Sequence, residues 1–122
     1  MPYAYRKSER LRKKKEFVSA MKGKRLSVDG LSLFYAKNDK GNFRVGISVS
    51  KKMANAVKRN RLRRQIRDCI QRVLKDYAAG YDLVFVVRHE LTAVDYGQIL
   101  RTVETALWRA VLRSLQSEGT SP

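Results

Sequence analysis

Ten lysines and arginines stand in the segment from Lys51 to Lys75, KKMANAVKRNRLRRQIRDCIQRVLK, against a single acid, Asp68. Guanidinium forks and ammonium point charges at this density suit one kind of chemistry, the neutralisation of phosphates. Solvated helices normally intersperse acids at i,i+4 to relieve like-charge repulsion, and this segment does not. Crowding of one sign costs stability unless an anionic partner offsets it. A polyanion is therefore expected against this face. Two phenylalanines, Phe17 and Phe34, could add a second kind of contact, since an aromatic face under an unpaired base contributes about 1–3 kcal/mol. Either ring could equally be an ordinary core residue.

Covalent chemistry finds no support in the chain. His89 is the only histidine, it has no plausible nucleophile beside it in the sequence, and its place after a strand suits a surface or turn residue. No cysteine pair, HExxH, P-loop or dinucleotide-binding glycine pattern occurs. The 11 acids show no metal-ligand spacing, so neither catalytic residues nor a metal centre is assigned to the protein. If the protein takes part in catalysis, another molecule must supply the reacting groups.

The charge is localised. The first 75 residues hold 23 bases and 5 acids, and the remaining 47 hold 4 and 6, within a net charge of +16. Such a footprint fits nucleic acid, with a membrane surface as the competing polyanion. The longest apolar run, Leu83 to Val87, falls far short of the roughly 20 residues that span a bilayer. The basic N-terminus is not followed by the apolar stretch of a signal peptide. A cytoplasmic location is expected, and Cys69, the one cysteine, reads as a small buried core residue.

At 122 residues the chain has room for one core. Residues 1–13 read as a flexible basic arm, 14–116 as a single α/β domain and 117–122 as a polar tail. Phe17, Val18 and Met21 predict a short amphipathic helix over Lys14 to Lys22, ended by Gly23. Lys24 to Ser27 suits an edge strand, and Asp29-Gly30 a turn into the strand Leu31 to Lys37. After the polar NDKGN segment, Phe43 to Ser50 alternates an apolar set, Phe43, Val45, Ile47 and Val49, with Arg44, Gly46, Ser48 and Ser50. The second set makes a small, wet face, suited to another chain lying close to the backbone, and strand phase puts Phe34 on that side.

In the basic segment Leu62, Ile66, Cys69, Ile70, Val73 and Tyr77 fall within a sector of about 100°, so one helix face is core and the other cationic. YDLVFVV then reads as a strand covered on both faces, central or parallel to a neighbour. Thr92 or Asp95 can cap the last helix, Asp95 and Gln98 having capping-box spacing. Its apolar positions are Tyr96, Ile99, Leu100, Val103, Leu107, Ala110 and Val111.

GISVSKKMANAVKRNRLRRQIRD resembles the signature of the bacterial ribonuclease P protein family: a strand ending Val-Ser-Lys-Lys, a loop with Asn-Ala-Val, then Arg-Asn-Arg and a run of arginines. The Lys-x-Glu-Phe at Lys14 to Phe17, the Phe-Tyr strand, Tyr-Asp-Leu-Val-Phe-Val-Val-Arg and the final Leu-Trp-Arg agree in order along nearly the whole chain. The resemblance implies an α+β fold, an α-β-β-β-α-β-α sandwich with a mixed sheet and a left-handed β-α-β crossover (ribosomal protein S5 domain 2-like), against the usual right-handed preference.

It further implies an accessory subunit for a catalytic RNA that removes the 5′ leader of precursor tRNA, with Mg²⁺ acting mainly through the RNA. By the same resemblance Lys51, Lys52, Asn55, Lys58, Arg59, Asn60, Arg61, Arg63, Arg64 and Arg67 would face the catalytic RNA. Phe17, Met21, Phe34, Arg44, Ser48 and Ser50 would line a cleft for the single-stranded leader. Met21 stands where the family often has a second aromatic residue. A ribosomal or ribosome-assembly protein would share the basic helix but not the cleft. A DNA-groove reader is disfavoured, because arginines and lysines at nearly every exposed position place phosphates more than they read bases.

Overall fold

The computed structural model describes residues 14–52, 55–87 and 95–115. The proposed arm 1–13, the tail 117–122, His89 and Thr92 lie outside the described residues. Within them the element order is α1 (Lys14–Met21), β1 (Lys24–Val28), β2 (Leu31–Lys37), β3 (Arg44–Val49), α2 (Ala56–Leu74), β4 (Tyr81–Val87) and α3 (Tyr96–Leu107), which continues as a π-helical turn over Trp108–Leu112. This is the α-β-β-β-α-β-α order of the expected fold. No helix among the described residues is long and apolar enough to cross a membrane.

The four strands form one mixed sheet in the order β1-β2-β4-β3. β1 and β2 are an antiparallel hairpin with Val28 opposite Leu31. Its two-residue turn has φ of 42° at Asp29 and 89° at Gly30, the left-handed pair that matches the twist of the strands and that Asp-Gly accommodates. β2 runs antiparallel to β4, and β4 parallel to β3, so YDLVFVV is central and parallel to a neighbour at once. The parallel pair requires a crossover, and α2 supplies it.

Strand alternation gives the sheet two unlike faces. Leu33, Phe85 and Ile47 lie in one row of the pairing, and with Leu31, Val45, Leu83 and Val87 they pack against Leu62, Ile66, Cys69, Ile70 and Leu74 of α2 and Ile99, Val103 and Leu107 of α3. α2 therefore buries the stripe expected of it, with one correction. Leu74 is fully buried, whereas Val73 and Tyr77 are only partly so. The helix starts at Ala56, where the Asn55 side chain accepts a hydrogen bond from the Lys58 amide at 2.9 Å and caps it. Asp95 does the same for α3 through the Gln98 amide, also at 2.9 Å.

The end of α3 departs from simple periodicity. Leu112 is buried five residues after Leu107, alongside Val111, and the wider π turn is what rotates both inward. The same turn leaves Trp108 41% exposed. Cys69 is a buried free thiol, as expected, and desolvation by burial is the main cause that pushes its pKa up.

Candidate nucleic-acid interface

α2 presents its cations in two groups. Lys58, Asn60, Arg61 and Arg64 are exposed, as are Lys51, Lys52 and Asn55 in the approach to the helix, while Arg59, Arg63 and Arg67 are half-buried along its flank. No acid stands in the first turn, so the helix dipole adds to the positive field there. Two of the polar members are already engaged within the protein. Asn55 is the helix cap, and the Asn60 carboxamide oxygen accepts from Nη1 of Arg63 at 2.8 Å. Asn60 thus steers a guanidinium, a role its neighbourhood supports as directly as an RNA contact.

Asp68, the lone acid, does not interrupt this face. Its carboxylate accepts a short hydrogen bond from the Tyr96 hydroxyl and meets Nε of Arg72 at 3.3 Å. Arg72 also lies over the Tyr96 ring, 5.7 Å from its centroid. The acid is spent on the seam between α2 and α3, and its hydrogen bond holds the Tyr96 phenol protonated well above the usual tyrosine range.

The other sheet face is roofed by α1. Rows of the pairing place Arg25, Phe34, Val84 and Gly46 side by side, with Ser27, Ser32, Val86 and Ser48 in the next row on this face. Phe17 and Ala20 come down from α1 onto Val84, Phe34 and Val86. The Phe17 ring lies so close over Gly46 that a Cβ there would sit 2.6 Å from two of its carbons. The small, wet face was expected to admit another chain near the backbone. The chain that comes nearest is the protein's own α1.

The cleft candidates are therefore only partly brought together. Phe17, Phe34, Arg44 and Ser48 share this face, and Ser50 follows at the end of β3, where its hydroxyl accepts from the Lys52 amide at 3.2 Å. Phe17 and Phe34 are half-buried, core on one side and open on the other. Met21 stays 42% exposed and outside the small cluster around Phe17. Arg44 is held in a forked ion pair with Asp82, Nε to Oδ1 and Nη2 to Oδ2 both at 2.8 Å. Sequence reasoning missed Arg25, whose guanidinium lies 5.6 Å from the Phe34 ring centroid, and Val84 and Val86. The run YDLVFVV carried the signal for the two valines, since a strand apolar at every position must present side chains to both faces.

Gly46→Ala is expected to displace the Phe17 ring and to destabilise the fold by about 1–3 kcal/mol, the usual range for overpacking. In Phe17→Ala the clash has no partner. Adding Gly46→Ala to that variant should then cost almost nothing further, and thermal melts of the four proteins would show strict additivity if the contact were irrelevant.

The Ribonuclease P family profile matches residues 5–111. The ribonuclease P protein component of Mesoplasma florum is 45% identical over 69 residues, 54% of this chain and 61% of that protein. That of an Exiguobacterium strain is 34% identical over 106 residues, 86% of this chain and 92% of that protein. The solved structure of the Staphylococcus aureus RNase P protein superposes with a TM-score of 0.79 at 31% identity, covering 86% of this chain and 97% of that one. A basic helix, a mixed sheet with a roofed polar face, and likeness along nearly the whole length converge, and the chain belongs to the ribonuclease P protein family.

Proposed function

We propose that the α2 face binds the catalytic RNA of ribonuclease P, and that the cleft between α1 and the sheet takes the single-stranded 5′ leader of precursor tRNA. The complex then removes the leader to give the mature 5′ end. The observation that carries this reading is the placement of two unlike surfaces on opposite sides of one sheet. Arginines and lysines along α2 neutralise a phosphate backbone. Beyond the sheet, Phe17 and Phe34 present half-open rings, with Arg25 beside Phe34, over a sheet face whose next row carries Ser27, Ser32 and Ser48. Stacking of this kind tolerates any base, as a leader of variable sequence requires.

Among the described residues no three of His, Cys, Asp and Glu come together as a metal site would need. Mg²⁺ would be carried mainly by the RNA, where it would supply charge neutralisation at the reacting phosphodiester. The chain's own part is to hold the RNA and orient the leader from the cytoplasm's pool of precursor tRNA.

Reconstitution tests the reading. Protein freed of RNA should leave precursor tRNA intact, and adding the cognate RNA with Mg²⁺ should restore cleavage at the mature 5′ end. Cleavage by RNA-free protein would overturn it. In the reconstituted system Arg61→Ala or Arg64→Ala should flatten the slope of log affinity against log salt by about one unit per lost phosphate contact. An unchanged slope would mean that the face is only solvated.

A further inference from the structure

A groove of about 570 Å³ opens at the end of the sheet away from the start of α2, where β1 begins, β2 ends and α3 finishes. Among the described residues four cations line it, Lys24, Lys37, Arg109 and Arg113, and no carboxylate does. All four are exposed. The last 47 residues contain only four bases in all, Arg88, Arg101, Arg109 and Arg113, and two of them are spent here. In a segment with more acids than bases, that concentration is not the overflow of a generally basic surface.

The groove also connects two faces. Tyr35 and Tyr81 in its wall pack against the main core, so they belong to the face covered by α2 and α3. Ala36, beside Tyr35, belongs by alternation to the opposite face, that of Phe34 and the cleft. Gly23, where α1 gives way to β1, lines the same groove and approaches Ala36 and the Tyr35 carbonyl so closely that a Cβ would lie 2.9 and 2.5 Å from them. On β1 itself Arg25 leans over Phe34 in the cleft, while its neighbour Lys24 lines the groove. A strand leaving the cleft across the start of β1 would pass from Arg25 directly to Lys24 and then to the other three cations.

We propose that this groove is a phosphate track that receives the upstream part of a long 5′ leader after it leaves the cleft. The inference rests on the assignment of the cleft to the leader. Its ligand is the phosphodiester backbone of single-stranded RNA, read by charge and not by base. Leaders too short to pass β1 would gain nothing from it, so affinity would depend on leader length beyond the stacked bases.

The test uses the full chain reconstituted with its cognate RNA and a series of precursor tRNAs whose leaders grow one nucleotide at a time. The half-saturating holoenzyme concentration is read in single-turnover cleavage, with mature tRNA as a competitor. For the unaltered protein, affinity should rise in a second step once the leader is long enough. In Lys24→Ala/Lys37→Ala/Arg109→Ala/Arg113→Ala that second step should vanish, a loss of about tenfold near physiological salt, and the salt slope for the longest leader should fall by about two units or more. Short-leader precursors and mature tRNA should bind as before.

Equal losses for every leader length would place the contact on another RNA segment and overturn the proposal, as would no loss at all. Phe17→Ala in the same series separates the two readings. If it distinguishes precursor from mature tRNA while the groove variant does not distinguish leader lengths, the groove fails and the cleft stands. If Phe17→Ala makes no such distinction, the cleft itself fails. Thermal melting checks the fold, and Lys37→Glu and Arg113→Glu, each alone, replace the fourfold variant should it melt early.

Discussion

Asp82→Ala is expected to lower folding stability by about 2–4 kcal/mol while leaving affinity for precursor tRNA nearly unchanged. The carboxylate is 12% exposed and the Arg44 side chain 17%, so both charges have lost most of their water. Asp82 accepts both arms of the Arg44 fork and, at 2.7 Å, the side-chain Nδ2 of Asn38. The Asn38 carboxamide oxygen in turn accepts from the Lys40 amide at 2.9 Å, so one carboxylate ties β3 and β4 to the loop between β2 and β3.

Removing Asp82 takes the forked acceptor from the Arg44 guanidinium and one of two acceptors from the Asn38 side-chain amide, and that loss sets the size of the effect. Replacing both charges, as in Arg44→Leu/Asp82→Leu, should recover much of the loss, because a buried pair contributes less than the cost of breaking it. Urea melts of the double-mutant cycle measure the coupling, and a coupling under about 0.5 kcal/mol would show the fork to be incidental. A large fall in precursor affinity at normal stability would instead assign Arg44 to RNA.

Phe17→Ala should separate binding from folding. The ring is half-buried, so truncation should cost less than the roughly 3–5 kcal/mol of a fully enclosed phenylalanine, about 1–2 kcal/mol by its covered fraction. Its open side is the part available to a base. Affinity for precursor tRNA should fall by about 1–3 kcal/mol, and affinity for mature tRNA, which has no leader, should hardly move. A melt near that of the unaltered protein together with equal losses for both RNAs would remove Phe17 from the cleft.

Much of this molecule was legible in its sequence because the relevant signals are local. The Asp29-Gly30 turn, the Asp95 cap and the buried stripe of α2 each follow from a few adjacent side chains. Leu74 and Leu112 escaped because their burial depends on how helices lie against the sheet, and for Leu112 on a π turn that shifts the phase. The cationic face was readable as a face. The partners of individual residues were not, since Asn60 on Arg63 and Arg44 on Asp82 depend on contacts among side chains that spacing does not encode. Arg25 was missed for a related reason, because only the β1–β2 register sets it over Phe34.

The small cluster beneath α1 also bears on the protein's motions. α1 is eight residues long, too short to hold its shape in water unaided. Among the described residues its apolar anchorage is a patch with Ala20 and Val84 fully enclosed, whereas α2 and α3 share the main core. Undocking α1 need not disturb that core, so α1 is expected to open as a cooperative unit of its own, at a free energy well below that of global unfolding. Its amides would exchange with solvent while those of β4 remain protected. A leader held beneath α1 would tighten the roof over itself, converting some of its binding free energy into order in the first helix.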